Sequence, residues 1–179
     1  MEKLISASQI IRLGLLLIIS LAPTQVLGAG LDLNFDEQDP FKLEGPWEFY
    51  WQRFIEPGAE SPPKPTTSAR LPGSWTNLEL DGLKLPTAGH ASYRLVADLG
   101  RDHPRILVLR VPMVYSAYRL YANDELVAEV GKASADPRRA RPDYGERRIQ
   151  LEIDGSQLEL VFHVSNYTAR VAGIPKSIE

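Results

Sequence analysis

Nine polar or aromatic side chains stand beside loops, or beside one another on expected strands: Trp75, His90, Tyr93, Arg94, Arg110, Tyr115, Tyr118, Asn166 and Tyr167. Together they have the chemistry of a small-ligand site. A sugar site wants an aromatic face for C–H stacking, with Arg, Asn, Asp or Glu side chains for the hydroxyls. Arg110 is the sharpest candidate. It shares a strand face with Ile106 and Val108, where a charge needs a partner or a ligand. Each candidate also has a plain structural role: Trp75 as a plug at a sheet end, Tyr118 as core, Arg94 as the partner of a neighbouring acid.

Catalysis has no comparable signature. The chain lacks a G-x-S-x-G elbow, an H-E-x-x-H pair and a phosphate-binding glycine loop. His90, His103 and His163 show no metal spacing and there are no cysteines, so neither zinc nor any other cofactor is expected. His163 is expected to face solvent, opposite Phe162 and Val164, and His103 sits in a turn beside Pro104. Asp32, Asn34 and Asp36 alternate as in a calcium loop, but Glu37 stands where that loop needs glycine. Paired glycosidase carboxylates carry no spacing signature, so sequence leaves that one chemistry open.

Arg138, Arg139, Arg141, Arg147 and Arg148 crowd the polar stretch between Lys132 and Arg148. A solvated loop is the plain reading. A clamp for phosphate or carboxylate is the sharper one, and contact with lipid headgroups is a third.

These side chains must be positioned by strands. Ser116 to Gly131 reads as a hairpin: Tyr118, Leu120 and Ala122 alternate with Arg119 and Tyr121, then Leu126, Ala128 and Val130 alternate with Val127 and Glu129. Asn123-Asp124 between them suits a type I′ turn. In Phe41 to Phe54, Trp47, Phe49 and Trp51 share one face, a core row rather than a stacking platform. Further strands are expected at Leu31–Phe35, Ala69–Leu71, Ala91–Asp98, Arg105–Val111 and Ile149–Ile153. Gln157–Ser165 is read as the hairpin partner of Ile149–Ile153, and Ala172–Ile178 as a last edge strand. Pro57–Thr67 is a stiff surface loop, and no helix of useful length follows the leader. Roughly eight to ten short strands separated by Gly, Pro, Asn and Asp turns imply an all-β, antiparallel two-sheet sandwich.

The first 28 residues read as a signal peptide. Lys3 and Arg12 flank the apolar run Leu13–Leu21, Pro23 breaks it, and Val26-Leu27-Gly28 precedes a cleavage site before Ala29. An uncleaved anchor is the alternative. Residues 29–179 then form one exported domain of about 150 residues, enough to be held by its core without disulfides. The periplasm is the natural compartment. A formal charge of −3 argues against nucleic acid as a partner.

Four fragments in register carry a resemblance. LEGPWEFYW (43–51), LPGSW (71–75), GHASYR (89–94) and YANDELV (121–127) resemble motifs of the sugar-binding-like jelly-roll domain of β-galactosidases and β-glucuronidases. The first, AGHASYRL, SAYRLYANDELVAEVG and VFHVSNYTARVAGI look closer still to the periplasmic domain of bacterial seven-transmembrane receptors with diverse intracellular signalling modules. Asp124 replaces the usual hairpin glycine. The resemblance implies a galactose-binding-domain-like jelly roll that binds a small polar or carbohydrate-like ligand and signals to a membrane-embedded module. The chain ends where that resemblance places the first membrane helix, as expected of the sensor portion of a receptor. Two other functions compete: a carbohydrate-binding module of a glycoside hydrolase, and a protein-interaction domain without a small ligand.

Overall fold

The computed structural model describes residues 30–32 and 41–179, so the expected leader and most of the calcium-like stretch lie outside the described residues. Those residues form a β-sandwich with a single 3₁₀ turn, Trp75–Asn77, and no helix long and apolar enough to cross a membrane.

The larger sheet is built from β1 (Gly30–Asp32), β2 (Gly45–Trp51), β3 (Thr67–Leu71), β6 (Gly89–Asp98), β8 (Ala117–Ala122), β9 (Glu125–Val130) and β11 (Gln157–Asn166). Its order is β3-β2-β6-β11-β8-β9. The first half of β6 pairs with β2, and its last residues pair with β1 in the sheet's one parallel contact. The opposing layer is smaller: β7 (Ile106–Val111) pairs with β10 (Arg147–Glu152), and β4 (Glu79–Leu80) with β5 (Leu83–Lys84) forms a short separate ribbon.

Period-2 alternation explains the core. On β6, Ala91, Tyr93, Leu95 and Ala97 point inward; on β11, Leu158, Leu160, Phe162 and Val164 do, and Leu109 and Val111 meet them from β7. The aromatic row behaves as expected, with Trp47 and Phe49 fully buried and Trp51 packed against the core. The rings interlock at angles, Phe49 edge-on to Tyr93 at 5.0 Å and Trp51 edge-on to Trp75 at 5.5 Å.

Four local expectations need correcting. Val127 is an extra residue in β9, because the register jumps from Leu120↔Ala128 to Tyr121↔Leu126. The bulge turns Val127 and Ala128 toward the core and leaves Leu126 exposed, so the expected alternation breaks there. In the hairpin turn Asn123 has a φ of 57° but Asp124 is not left-handed, which excludes type I′. β10 does not pair with β11: it crosses to β7 in the other layer, while β11 inserts between β6 and β8. The tail forms isolated bridges instead of a strand, Gly173 with Tyr115 and Ile174 with Gly73. Its end then exchanges two backbone hydrogen bonds between Glu179 and Arg110.

The large sheet's outer face is also covered. After β2 the chain folds back across it, with Ile55 N–H donating to Ser92 Oγ and Gly58 N–H to Glu159 Oε2. Ile55 packs with Tyr50 and Val161 in a second, smaller apolar cluster.

Candidate functional site

One end of the sandwich collects the starts of β6, β8 and β10 and the finishes of β7, β9 and β11. The connections at this end run over residues 112–116, 131–146 and 167–172. Five of the nine sequence candidates lie here: His90, Arg110, Tyr115, Asn166 and Tyr167.

Asn166, the last residue of β11, holds this end together. It is fully buried, and its amide nitrogen donates to the carbonyls of Thr87, Ala169 and Val171 at 2.9–3.1 Å. Its oxygen accepts from the backbone N–H of Ala169 at 3.0 Å. With its capacity used on the backbone, Asn166 shapes the loops and offers nothing to a ligand. Tyr167 follows. Its hydroxyl donates to Ala135 O at 2.9 Å, which leaves the oxygen to accept from His90 Nδ1 at 3.2 Å. The His90 ring stands edge-on to Phe54 at 5.0 Å, and partial burial lowers its pKa. Tyr115 is half-buried, its ring 5.9 Å from that of Tyr144.

Arg110 lies beside a cleft of about 500 Å³. Pro72, Pro112, Met113 and Pro175 make its apolar walls, and Arg110, Glu146, Lys176, Ser177 and Glu179 bring the polar groups. Arg110 Nε and one terminal nitrogen grip Glu146 at 2.7 and 3.2 Å, and the other terminal nitrogen donates to Glu179 at 2.9 Å. These bonds raise the Arg110 pKa further, and the Arg110 hydrogen bond holds the Glu146 carboxyl below its usual range. The expected conflict of a charge on an apolar face does not arise. Ile106 and Val108 are 53% and 64% exposed, because the 107/109/111 face of β7 is the one that meets the core.

The remaining four candidates are elsewhere. Trp75, Tyr93 and Tyr118 are at most 1% exposed and belong to the core, although Trp75 and Tyr93 also form part of the lining of a smaller pocket beside Pro72 and Leu78. Their rings bury more apolar area than their polar atoms demand in water. Trp75 still donates its indole N–H to Pro86 O at 2.9 Å. Arg94 lies mid-sheet on the outer face, its guanidinium bonded to Glu48 at 2.8 Å and Glu159 at 2.5 Å. The solvent-facing role expected for His163 also fails. It points to the outer face as its strand phase requires, but Phe54 stacks on it at 4.7 Å and the residue is only 5% exposed.

Glu146, Lys176, Ser177 and Glu179 were not singled out by sequence. Glu146 stands in the arginine-rich loop already noted, but nothing local ties Lys176 or Glu179 to Arg110, some seventy positions earlier. The site's chemistry is that of polar recognition: charged donors and acceptors around apolar walls, open to solvent. Among the described residues no group of three His, Cys, Asp or Glu is placed to hold a metal ion.

No family model matches the chain, and no curated protein does. Solved structures do. The β-glucuronidase of Ruminococcus gnavus matches with a TM-score of 0.54 and 14% identity over 77% of this chain and 28% of its own. The same enzyme in complex with D-glucaro 1,5-lactone matches at 0.56 and 13%, over 84% of this chain and 30% of that one. A β-glucuronidase from an uncultured Clostridium sp. matches at 0.55 and 14%, over 83% and 30%. The likeness is one of fold. This chain spans less than a third of each enzyme, so the relation is between domains, as the jelly-roll motifs imply.

Proposed function

We propose that this chain is a non-catalytic, extracytoplasmic binding domain that senses a small carbohydrate-like molecule on behalf of a membrane-embedded signalling module. The Arg110 cleft carries the reading. Its walls are proline and methionine, its rim holds donors and acceptors of both signs, and its size suits a molecule of one or two sugar rings. The leader-like first 28 residues and the receptor-like motifs support export and attachment to a receptor.

The test is a calorimetric and thermal-shift screen of sugars, sugar acids and nucleotides. The expected result is saturable stabilisation by a sugar-like compound, lost in Arg110→Ala. A screen in which no compound moves the transition would favour a protein-interaction domain. A second reading, a module attached to a glycoside hydrolase, draws on the β-glucuronidase likeness. The two separate on what adjoins the domain in its gene: membrane helices support the sensor, and a hydrolase barrel sinks it.

A further inference from the structure

The two ends of the sandwich carry opposite charge. At the end that holds the cleft, the 131–146 loop presents Lys132, Arg139 and Arg141, and β10 opens with Arg147 and Arg148, all exposed. None of these five side chains forms an ion pair with a described residue. Of the three acids in this loop, Asp136 pairs with Arg138 and Glu146 with Arg110, and exposed Asp143, which accepts from the Tyr144 backbone N–H, offsets one of the five cations. At the far end, Asp98 closes β6, Glu125 opens β9, and the turns carry Asp102, Asp124 and Asp154, all exposed, against two cations, Arg101 and Arg105, the latter paired with Glu152 and Asp154. A formal charge of only −3 therefore conceals a basic pole facing away from an acidic one.

The basic pole has a fixed backbone. Lys132 and Arg141 exchange two backbone hydrogen bonds at 2.8 and 3.1 Å, and Asp143 N–H donates to Ser116 O at 3.0 Å. The Tyr167 hydroxyl holds the carbonyl of Ala135 from the other side. Apolar groups lie among the cations: Met113, Tyr144 and Val171 are 37%, 46% and 43% exposed. Unpaired cations mixed with exposed aromatic and aliphatic groups suit a headgroup layer, where phosphates meet the charges and the apolar tips reach the acyl boundary.

We propose that this basic end docks on an anionic bilayer surface, with Lys132, Arg139, Arg147 and Arg148 on lipid phosphates and Met113 and Tyr144 at headgroup depth. The proposal does not depend on the ligand-sensing reading: it requires no sugar, and it shares with the cleft only Met113, which also forms part of the cleft wall.

Co-sedimentation with vesicles tests it, comparing pure phosphatidylcholine with a phosphatidylcholine–phosphatidylglycerol mixture at low and physiological salt. The protein is expected to bind the mixture, release as salt rises, and ignore pure phosphatidylcholine. Replacing Arg139, Arg148 or Lys132 singly by Gln should lower the partition coefficient about fivefold each. Arg101→Gln, at the acidic end, should leave it unchanged. Circular dichroism and thermal melting of each variant separate lost binding from lost folding. Absence of binding to the anionic mixture overturns the proposal, as does an equal loss in folded Arg101→Gln. Binding to heparin or single-stranded DNA as tight as to the vesicles also overturns it, marking a general polyanion surface.

Discussion

His163 Nε2 donates to the carbonyl oxygen of Ile55 at 2.7 Å, joining β11 to the segment that folds back after β2. The bond fixes the tautomer, with the proton on Nε2. Phe54 stacks on one side of the ring and Tyr121 tilts against it at 5.0 Å. An imidazole that reads locally as a solvent-facing strand residue is thus the anchor of the outer-face cover.

This arrangement makes the fold acid-sensitive. Burial pushes the His163 pKa down to about 4, with a smaller contribution from the nearby Arg119 charge, whereas an unfolded histidine titrates near 6.5. Between those values the unfolded chain binds more protons than the folded one, so stability falls as pH drops through that window. Below it the loss from this residue levels off, at up to about 3 kcal/mol. His90 shifts in the same direction and adds to the slope. Urea unfolding at a series of pH values should show the decline, and His163→Gln should flatten most of it. A slope unchanged in that variant would assign the effect to other groups.

Arg94 is structural, and its removal should show it. Its guanidinium lies between Glu48 and Glu159, side chains only 14% and 12% exposed, and Glu48 also accepts from the Tyr50 hydroxyl at 2.7 Å. Burial acts to lower the Arg94 pKa, but the hydrogen bonds to both acids outweigh it and leave it raised. Arg94→Met strands two carboxylates on a covered face, and the expected cost is about 3 kcal/mol in chemical denaturation. Adding Glu48→Gln and Glu159→Gln should restore much of that loss, because the uncompensated charges go with them. A triple variant no better than the single would mean that the guanidinium's packing, and not its charge, mattered.

What sequence conveyed depends on the range of the interaction. Alternation alone places Trp47, Phe49, Leu158 to Val164 and the 118–122 strand on their faces, since pleating imposes it residue by residue. Pairing is a different matter. Ile149–Ile153 and Gln157–Ser165, either side of Asp154-Gly155, have every local mark of a hairpin, yet β10 takes β7 because Leu151 and Ile149 close the core from the opposite layer. The same limit governed the site. Arg110 stood out by type, whereas its partners come from the 131–146 loop and the tail. Tyr93 and Tyr118 qualify as ligand candidates by residue type and strand position, but the apolar area of their rings decides their place.

Arg110→Ala should dissociate ligand response from stability. Arg110 is about half exposed and its ion pairs with Glu146 and Glu179 lie at the surface, where solvent screens them. The expected result is a small change in melting temperature together with loss of any sugar-induced stabilisation. Arg110→Lys keeps the charge but not the two-pronged grip on Glu146, and should recover only part of the response. A full response in Arg110→Ala would move the binding surface away from this cleft.

Gly131 ends the hairpin and launches the basic loop, and it has no room for a side chain. Its φ is 66°, and a Cβ would run into the carbonyl oxygen of Arg141 and lie 2.9 Å from the backbone nitrogen of Asp143. Neither neighbour yields easily, for both are main-chain atoms in the bonds that tie the loop to Lys132 and Ser116. Gly131→Ala therefore combines a strained backbone with overpacking, at an expected cost of about 2–3 kcal/mol. The damage should be local. Limited proteolysis is expected to cut first within 132–146, where Lys132, Arg138 and Arg139 present trypsin sites, while Gly155→Ala, with nothing within 4 Å of its Cβ, should leave the pattern unchanged. Equal susceptibility in the two variants would show that the loop does not depend on this close contact.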